Sequence, residues 1–266
     1  MKEQALALVR EVPDPGQGLN RLREYVQILV LRSLHECEAF RPLAFVGGTA
    51  LRLLHGLPRF SEDLDFSLVS ADGYAGGDWM AKVKRDLAFA GFDPLVTWND
   101  RKVVHTSWIR LAGILREAGL SAIPNEKLAI KLDIDTRPPA GARCERQIVS
   151  RYTTFLLQYY DLPSLLAGKL HAVLTRKYAK GRDWYDLVWY LSQRPPVAPN
   201  VPLLQHALDQ TQRAGSFDAR SWRKLVRVRL ESLDMEAIAA DVRPFLERPP
   251  DAALLTRDNL LGLLRG

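Results

Sequence analysis

The chain has 266 residues, 47% hydrophobic and 26% charged, with 37 Lys and Arg against 31 Asp and Glu for a formal charge of +6. This composition excludes a disordered chain and leans toward an anionic partner such as nucleotide, RNA or DNA. Cys37 and Cys144 offer neither a disulfide framework nor metal spacing, and no stretch approaches the ~18 consecutive apolar residues of a membrane span, so a reduced, cytoplasmic protein with no membrane partner is expected.

Leu19, Leu22, Val26, Leu29, Val30 and Leu34 recur at helical spacing. They predict a helix over 16–40, capped by Gly18 or Asn20 and ended by Pro42. Residues 43–46 read as a short apolar strand and Gly47 and Gly48 as a turn. Thr49 reads as the N-cap of a short helix to 55, which Gly56 and Pro58 stop. Residues 64–68 alternate as a second strand. A helix over 79–90 is closed by Gly91, and strands over 95–98 and 103–111 flank a turn at Asp100. A cleanly alternating strand over 127–136 is stopped by Pro138 and Pro139, and another is expected over 148–155. From Leu162 the pattern turns helical, over 162–176, 183–191, 203–213, 219–233 and 251–264. The proline-rich stretch 193–202 reads as a linker or boundary. This order predicts a mixed sheet carrying helices, residues 1–160, followed by an all-helical lobe, residues 161–266.

In a strand, residues two apart share a face, so Asp63 and Asp65 of SEDLDF lie together while Leu64 and Phe66 face away. Adjacent carboxylates repel and raise each other's pKa unless a cation lies between them, and Mg²⁺ (or Mn²⁺) is the hard ion such oxygens hold. The strand KLAIKLDIDT repeats the pattern. Leu128, Ile130, Leu132 and Ile134 fall on one face, and Lys127, Ala129, Lys131, Asp133 and Asp135 on the other. Laid beside the first strand, it supplies a third carboxylate from Asp133 or Asp135. Such a trio after a glycine turn fits two-metal phosphoryl transfer. The turn itself, opening a helix, presents backbone N–H groups to a phosphate. It is not a Walker A loop, because no Gly-Lys-Ser/Thr follows. The competing reading is an exposed acidic edge and a tight turn without a ligand. Further on, Leu165, Leu166, Leu170 and Val173 form an apolar helical stripe with Lys169 inside its arc. An ammonium there must reach water or meet an anion.

GGTALRL, RFSEDLDF, KLDID and LLAGKLHAVLTRKYAKGRDWYDL closely resemble the AbiEii-type nucleotidyltransferase toxins of the DNA polymerase β-like nucleotidyltransferase superfamily. The likeness spans residues 43–191; beyond 193 only the helical character matches. It implies an α+β fold, with a nucleotidyltransferase-like mixed β-sheet flanked by helices and a helical C-terminal lobe. It also implies transfer of a nucleoside monophosphate from an NTP to an acceptor hydroxyl, with release of pyrophosphate, by a toxin restrained by a cognate antitoxin.

Carried over by position, the resemblance assigns Gly47, Gly48 and Thr49 to the phosphate-binding turn, Thr49 standing where many superfamily members have serine. Asp63 and Asp65 match the metal-binding pair. Asp133 best matches the third carboxylate, with Asp135 its competitor. Lys169 matches a lysine for the triphosphate and Asp183 the last carboxylate. Asp186, one turn on, could instead pair with Arg182. Ser61 shares the strand parity of Asp63, and a phosphate there would set about −1.5 to −2 charge against the metal site and silence it.

The acceptor is open. Arg176, Lys177, Lys180 and Arg182 cluster between two motif helices. Arg220, Arg223, Lys224 and Arg227 line one helical face opposite Trp222, Leu225, Val226 and Leu233. Both suggest an RNA backbone contact, and the resemblance implies a tRNA 3′ end. Alternatives are a protein acceptor, or a nucleotide- or RNA-binding protein without catalysis; the full set of carboxylates argues against the latter.

Overall fold

In the computed structural model, which describes residues 1–265, the chain divides into two compact units. The first comprises Met1–His55, Phe60–Pro138 and Arg146–Tyr159; the second takes Gly56–Arg59, Pro139–Glu145 and the chain from Tyr160 onward.

The first unit is built on a sheet. In chain order it runs α1 (Lys2–Arg10), α2 (Pro15–Glu36), β1 (Leu43–Val46), α3 (Gly47–His55), β2 (Leu64–Leu68) and α4 (Gly76–Phe89). It continues with β3 (Asp93–Asn99), β4 (Val104–Ala112), α5 (Ile114–Glu117), β5 (Leu128–Asp135), β6 (Cys144–Arg151) and β7 (Thr153–Tyr160). The seven strands are ordered β3-β4-β5-β2-β1-β7-β6. β2 runs parallel to β5 and β1 parallel to β7, whereas β1–β2, β3–β4 and β4–β5 are antiparallel, so the sheet is mixed as expected.

The alternation in β5 is realised: Leu128, Ile130, Leu132 and Ile134 are buried and the residues between them are half-exposed. α2 buries its Leu22, Val26, Leu29, Val30 and Leu34 stripe and packs against α4 and β5. Its start differs from the expectation. Asp14, not Gly18 or Asn20, is the cap: its carboxylate accepts from the Gln17 N–H at 2.7 Å, with Pro15 opening the first turn. α4 begins earlier than expected, at Gly76, where a Cβ would lie 2.5 Å from the Trp98 ring. The single strand expected over 148–155 is two strands, β6 and β7, turning at Tyr152, whose φ is +61°.

The second unit is helical: α6 (Leu162–Thr175), α7 (Gly181–Leu191), α8 (Val201–Thr211), α9 (Trp222–Glu231), α10 (Met235–Val242) and α11 (Arg257–Leu263). α6 packs against α7, α8 and α9, and α7 against α10 and α11. Side-chain caps set the entries: Asp161 accepts from Ser164 N–H at 2.8 Å, and Asn200 from Leu203 N–H at 3.1 Å. The proline-rich stretch 193–202 lies inside this unit and runs through the Asn200 cap into the first turn of α8. The helix expected over 219–233 is a 3₁₀ turn, Ala219–Ser221, followed by α9. The one expected over 251–264 is a 3₁₀ run, Pro249–Leu254, followed by α11 after the Thr256 cap. Among the described residues no helix is long and apolar enough to cross a membrane.

Candidate active site

In the first unit, β1 delivers the chain to Gly47, whose φ of +81° lies in the left-handed region. α3 begins at Gly47 itself, two residues before the expected cap. Val46 stands opposite Asp65 in the antiparallel register, and a Cβ on Gly47 would lie 2.5 Å from the Asp65 Oδ2. Glycine is thus required there twice, by backbone conformation and by the carboxylate lying against it. Gly47→Ala is accordingly expected to destabilise the fold by about 1–3 kcal/mol. Urea denaturation reads the loss, and a midpoint equal to that of the unmodified protein would contradict the close approach.

Thr49 is buried, at 1% exposure, and its hydroxyl donates to the Asp63 carbonyl oxygen. The hydroxyl expected at a phosphate thus ties the first turn of α3 to the entry of β2. β2 starts at Leu64, so Asp63 enters the strand rather than sitting in it, and Ser61 lies in the preceding loop. Ser61 therefore shares no strand face with Asp63; its carbonyl accepts from Gln27 Nε2 at 3.1 Å.

The parallel register sets Asp65 opposite Asp133 and Ser67 opposite Asp135. Asp133 thereby stands level with the glycine turn, and Asp135 two residues further along the sheet. The Asp133 carboxylate accepts from Thr106 Oγ1 at 2.7 Å and from Lys131 Nζ at 2.6 Å. Asp135 accepts from the Arg137 N–H at 2.9 Å. The Lys131 ammonium is held above its ordinary pKa, first by its hydrogen bond to Asp133, against burial, and then by the charges of Asp133, Asp63 and Asp65. One cation therefore stands in the field of all three acids. Among the described residues no three His, Cys, Asp or Glu side chains are gathered closely enough to hold a metal ion. The donor chemistry, hard carboxylate oxygen on Asp65 and Asp133 at opposed positions of the parallel pair, is the kind a divalent cation takes.

In the second unit, α6 and α7 carry a cluster of buried charges. Lys169 Nζ lies 3.0 Å from Asp183 Oδ1 and 2.6 Å from Asp186 Oδ2. Arg59 grips Asp186 with two bonds, Nε to Oδ1 at 2.6 Å and Nη2 to Oδ2 at 2.7 Å. Arg176 Nη1 lies 2.7 Å from Asp183 Oδ2. Asp183 and Asp186, three apart, share one face of α7 toward Lys169 on α6. The alternative Arg182–Asp186 pair does not form, because Asp186 is taken by Arg59 and Lys169. The Arg182 guanidinium lies instead over the Phe245 ring, 4.3 Å from its centroid. Burial pushes Lys169 down, but Asp186 and Asp183 outweigh it and hold the ammonium above its ordinary pKa. Burial likewise pushes Asp183 up, and Lys169 and Arg176 overcome it and hold the carboxyl below its ordinary value.

Arg59 is the residue the sequence reading missed. It is 1% exposed and sits in the segment Gly56–Arg59, which joins the second unit through the Arg59–Leu246 bridge and the Glu247 N–H to Pro58 carbonyl bond. The available signal was its place at the head of RFSEDLDF, an arginine between Pro58 and Phe60 with Leu57 just before.

The basic helix also differs from its expectation. Arg223 and Arg227 both donate to the Leu264 carbonyl, at 3.3 and 2.7 Å, and so brace the end of α11. Arg220 lies on the 3₁₀ turn before α9, and Lys224 is exposed on α9. Arg229, not singled out from the sequence, donates to the carbonyls of Arg176 and Lys177.

Residues 29–257 match the model of a family described as nucleotidyl transferase AbiEii toxin, type IV TA system. Among solved structures, the fold is similar to that of JHP933 from Helicobacter pylori, at 18% identity and a TM-score of 0.50, over 91% of this chain and 90% of that one. It is equally similar to a candidate nucleotidyltransferase from H. pylori, at 18% identity and a TM-score of 0.50, over 91% and 93%. At that identity the likeness concerns the fold alone. No curated protein matches the sequence.

Proposed function

The chain belongs to the AbiEii nucleotidyltransferase toxin family of type IV toxin–antitoxin systems, and from that premise we propose that it moves a nucleoside monophosphate from an NTP to the 3′-terminal hydroxyl of an RNA, such as tRNA. The observation that carries this reading is the register that sets Asp65 between the Gly47 turn and Asp133. Backbone N–H groups at Gly47 and Gly48 receive the triphosphate at the head of α3. Asp63, Asp65 and Asp133 would hold Mg²⁺ or Mn²⁺. When bound, such an ion neutralises charge on the transferring phosphoryl group and acidifies the attacking hydroxyl.

The chain's own groups do the rest. Thr49 fixes the backbone at Asp63, and Thr106 orients the Asp133 carboxylate. Lys131 balances the acids electrostatically. The acceptor oxygen bonds to the α-phosphorus, the α–β bridging P–O bond breaks and pyrophosphate leaves. The acceptor's proton passes to Asp133, which already accepts a hydrogen bond from a hydroxyl. Within the second unit, Asp183 and Asp186 hold the Lys169 ammonium charged and in place.

Incubation with each α-labelled NTP in turn, total RNA and Mg²⁺ or Mn²⁺ tests the reaction. Label on RNA that survives protease and is lost with a chelator is the expected result. Label confined to protein replaces the acceptor, and no transfer of any label overturns the reading.

A further inference from the structure

The loop between α6 and α7, residues 176–180, is pinned at both ends and yet leaves an aromatic ring in water. Arg229 Nη2 donates to the Arg176 carbonyl at 2.7 Å, and the Arg176 side chain ends on Asp183. At the other end the Asp241 carboxylate accepts from the Gly181 N–H at 2.6 Å, and a Cβ on Gly181 would lie 2.2 Å from the Ile238 carbonyl oxygen. Between these anchors Tyr178 is 74% exposed. The Lys177 ammonium lies 5.3 Å from the ring centroid, and Lys180 is exposed two residues on. A groove of about 500 Å³ runs beside the ring, lined by Lys177, Arg229, Leu233 and Ile238. Its two carboxylates are already engaged by backbone N–H groups, Asp234 at Glu236 and Ala237 and Asp241 at Gly181.

We propose that Tyr178 is a stacking platform for one unpaired base of a single-stranded polynucleotide, whose phosphates lie on Lys177 and Lys180. An exposed ring with one ammonium over it and a second cation two residues on suits a nucleobase joined to phosphates, and a duplex hides the base faces that such a ring would take. The Arg176 side chain links the platform to Asp183, in the cluster that holds Lys169. The proposal deepens the reaction proposed above, on which it rests, by naming how the acceptor strand is held.

Fluorescence anisotropy with a short labelled single-stranded RNA, the same sequence as DNA, and a blunt RNA duplex tests it. Tyr178→Ala is expected to weaken single-strand binding about tenfold, and Tyr178→Trp to retain it with indole quenching on binding. Lys177→Ala and Lys180→Ala should each lower the slope of log affinity against log salt by about 0.7. A preference between the RNA and DNA arms identifies which polynucleotide the platform takes. Unchanged affinity in Tyr178→Ala, duplex binding as tight as single-strand binding, or displacement by an acidic peptide at equal affinity overturns the proposal, as does no polynucleotide binding at all. The melting shift of the unmodified protein with Mn²⁺ and NTP is read in parallel. A shift without strand binding removes the platform alone, and strand binding without a shift removes the nucleotidyl-transfer reading alone.

Discussion

Arg59→Leu is expected to lower folding stability by about 3–5 kcal/mol, because it leaves a buried carboxylate without its bidentate counter-charge. The Arg59 and Asp186 side chains are 2% and 0% exposed and meet through two short bonds. With Arg59 gone, Asp183 and Asp186 share one lysine, and only Asp183 has a second cation in Arg176. Adding Asp186→Leu should recover most of the loss, since a buried ion pair replaced by apolar side chains is often neutral. Urea unfolding of the single and double variants decides this; a double variant as unstable as the single one contradicts it.

The same cluster sets a pH window. Asp183 is held below its ordinary pKa, so its contribution is present above about pH 4, the unfolded value, and is lost as pH falls through the folded one. Lys169 is held above its ordinary pKa, so its contribution is full below about pH 10 and is lost as pH rises through the folded value. The cluster's stabilisation should be flat in between.

Asp65→Ala is expected to slow nucleotidyl transfer by about 10²–10³-fold or more, as removal of a preorganised charge at a phosphoryl-transfer site does. Asp65 is the acid that stands both against Gly47 and opposite Asp133. Asp135→Ala should leave the rate within about threefold of the unmodified enzyme, since Asp135 pairs across from Ser67 and holds the Arg137 N–H. Label transfer at saturating NTP, with circular dichroism to confirm folding, separates the two. Equal damage from both substitutions would move the acidic centre along the sheet.

Much of the fold was legible because its signals are local. The Gly47-Gly48 turn, the alternation of β5 and the apolar arc holding Lys169 each follow from backbone sterics and periodicity within a dozen residues. The resemblance in four short motifs extended that reading to the family, because each motif keeps its residues within one element or two consecutive ones. Of the two outcomes open to Lys169, reaching water or meeting an anion, the packed helices supply the second, in Asp183 and Asp186.

What the chain's order could not disclose is partnership across distance. Whether Asp133 or Asp135 stands opposite Asp65 is a matter of register between strands separated by α4, β3, β4 and α5. A shift of two residues keeps every side chain on its face, so periodicity is blind to it. Arg59 lies in the loop before Asp63, yet its carboxylate is 127 residues away, on α7. Arg223 and Arg227 read as a free basic stripe until α11 brings the Leu264 carbonyl to them. Residue type and spacing specify which faces must be covered and which charges must be met; only the packed chain specifies by what, because burial selects a partner from everything the fold brings within about 3 Å.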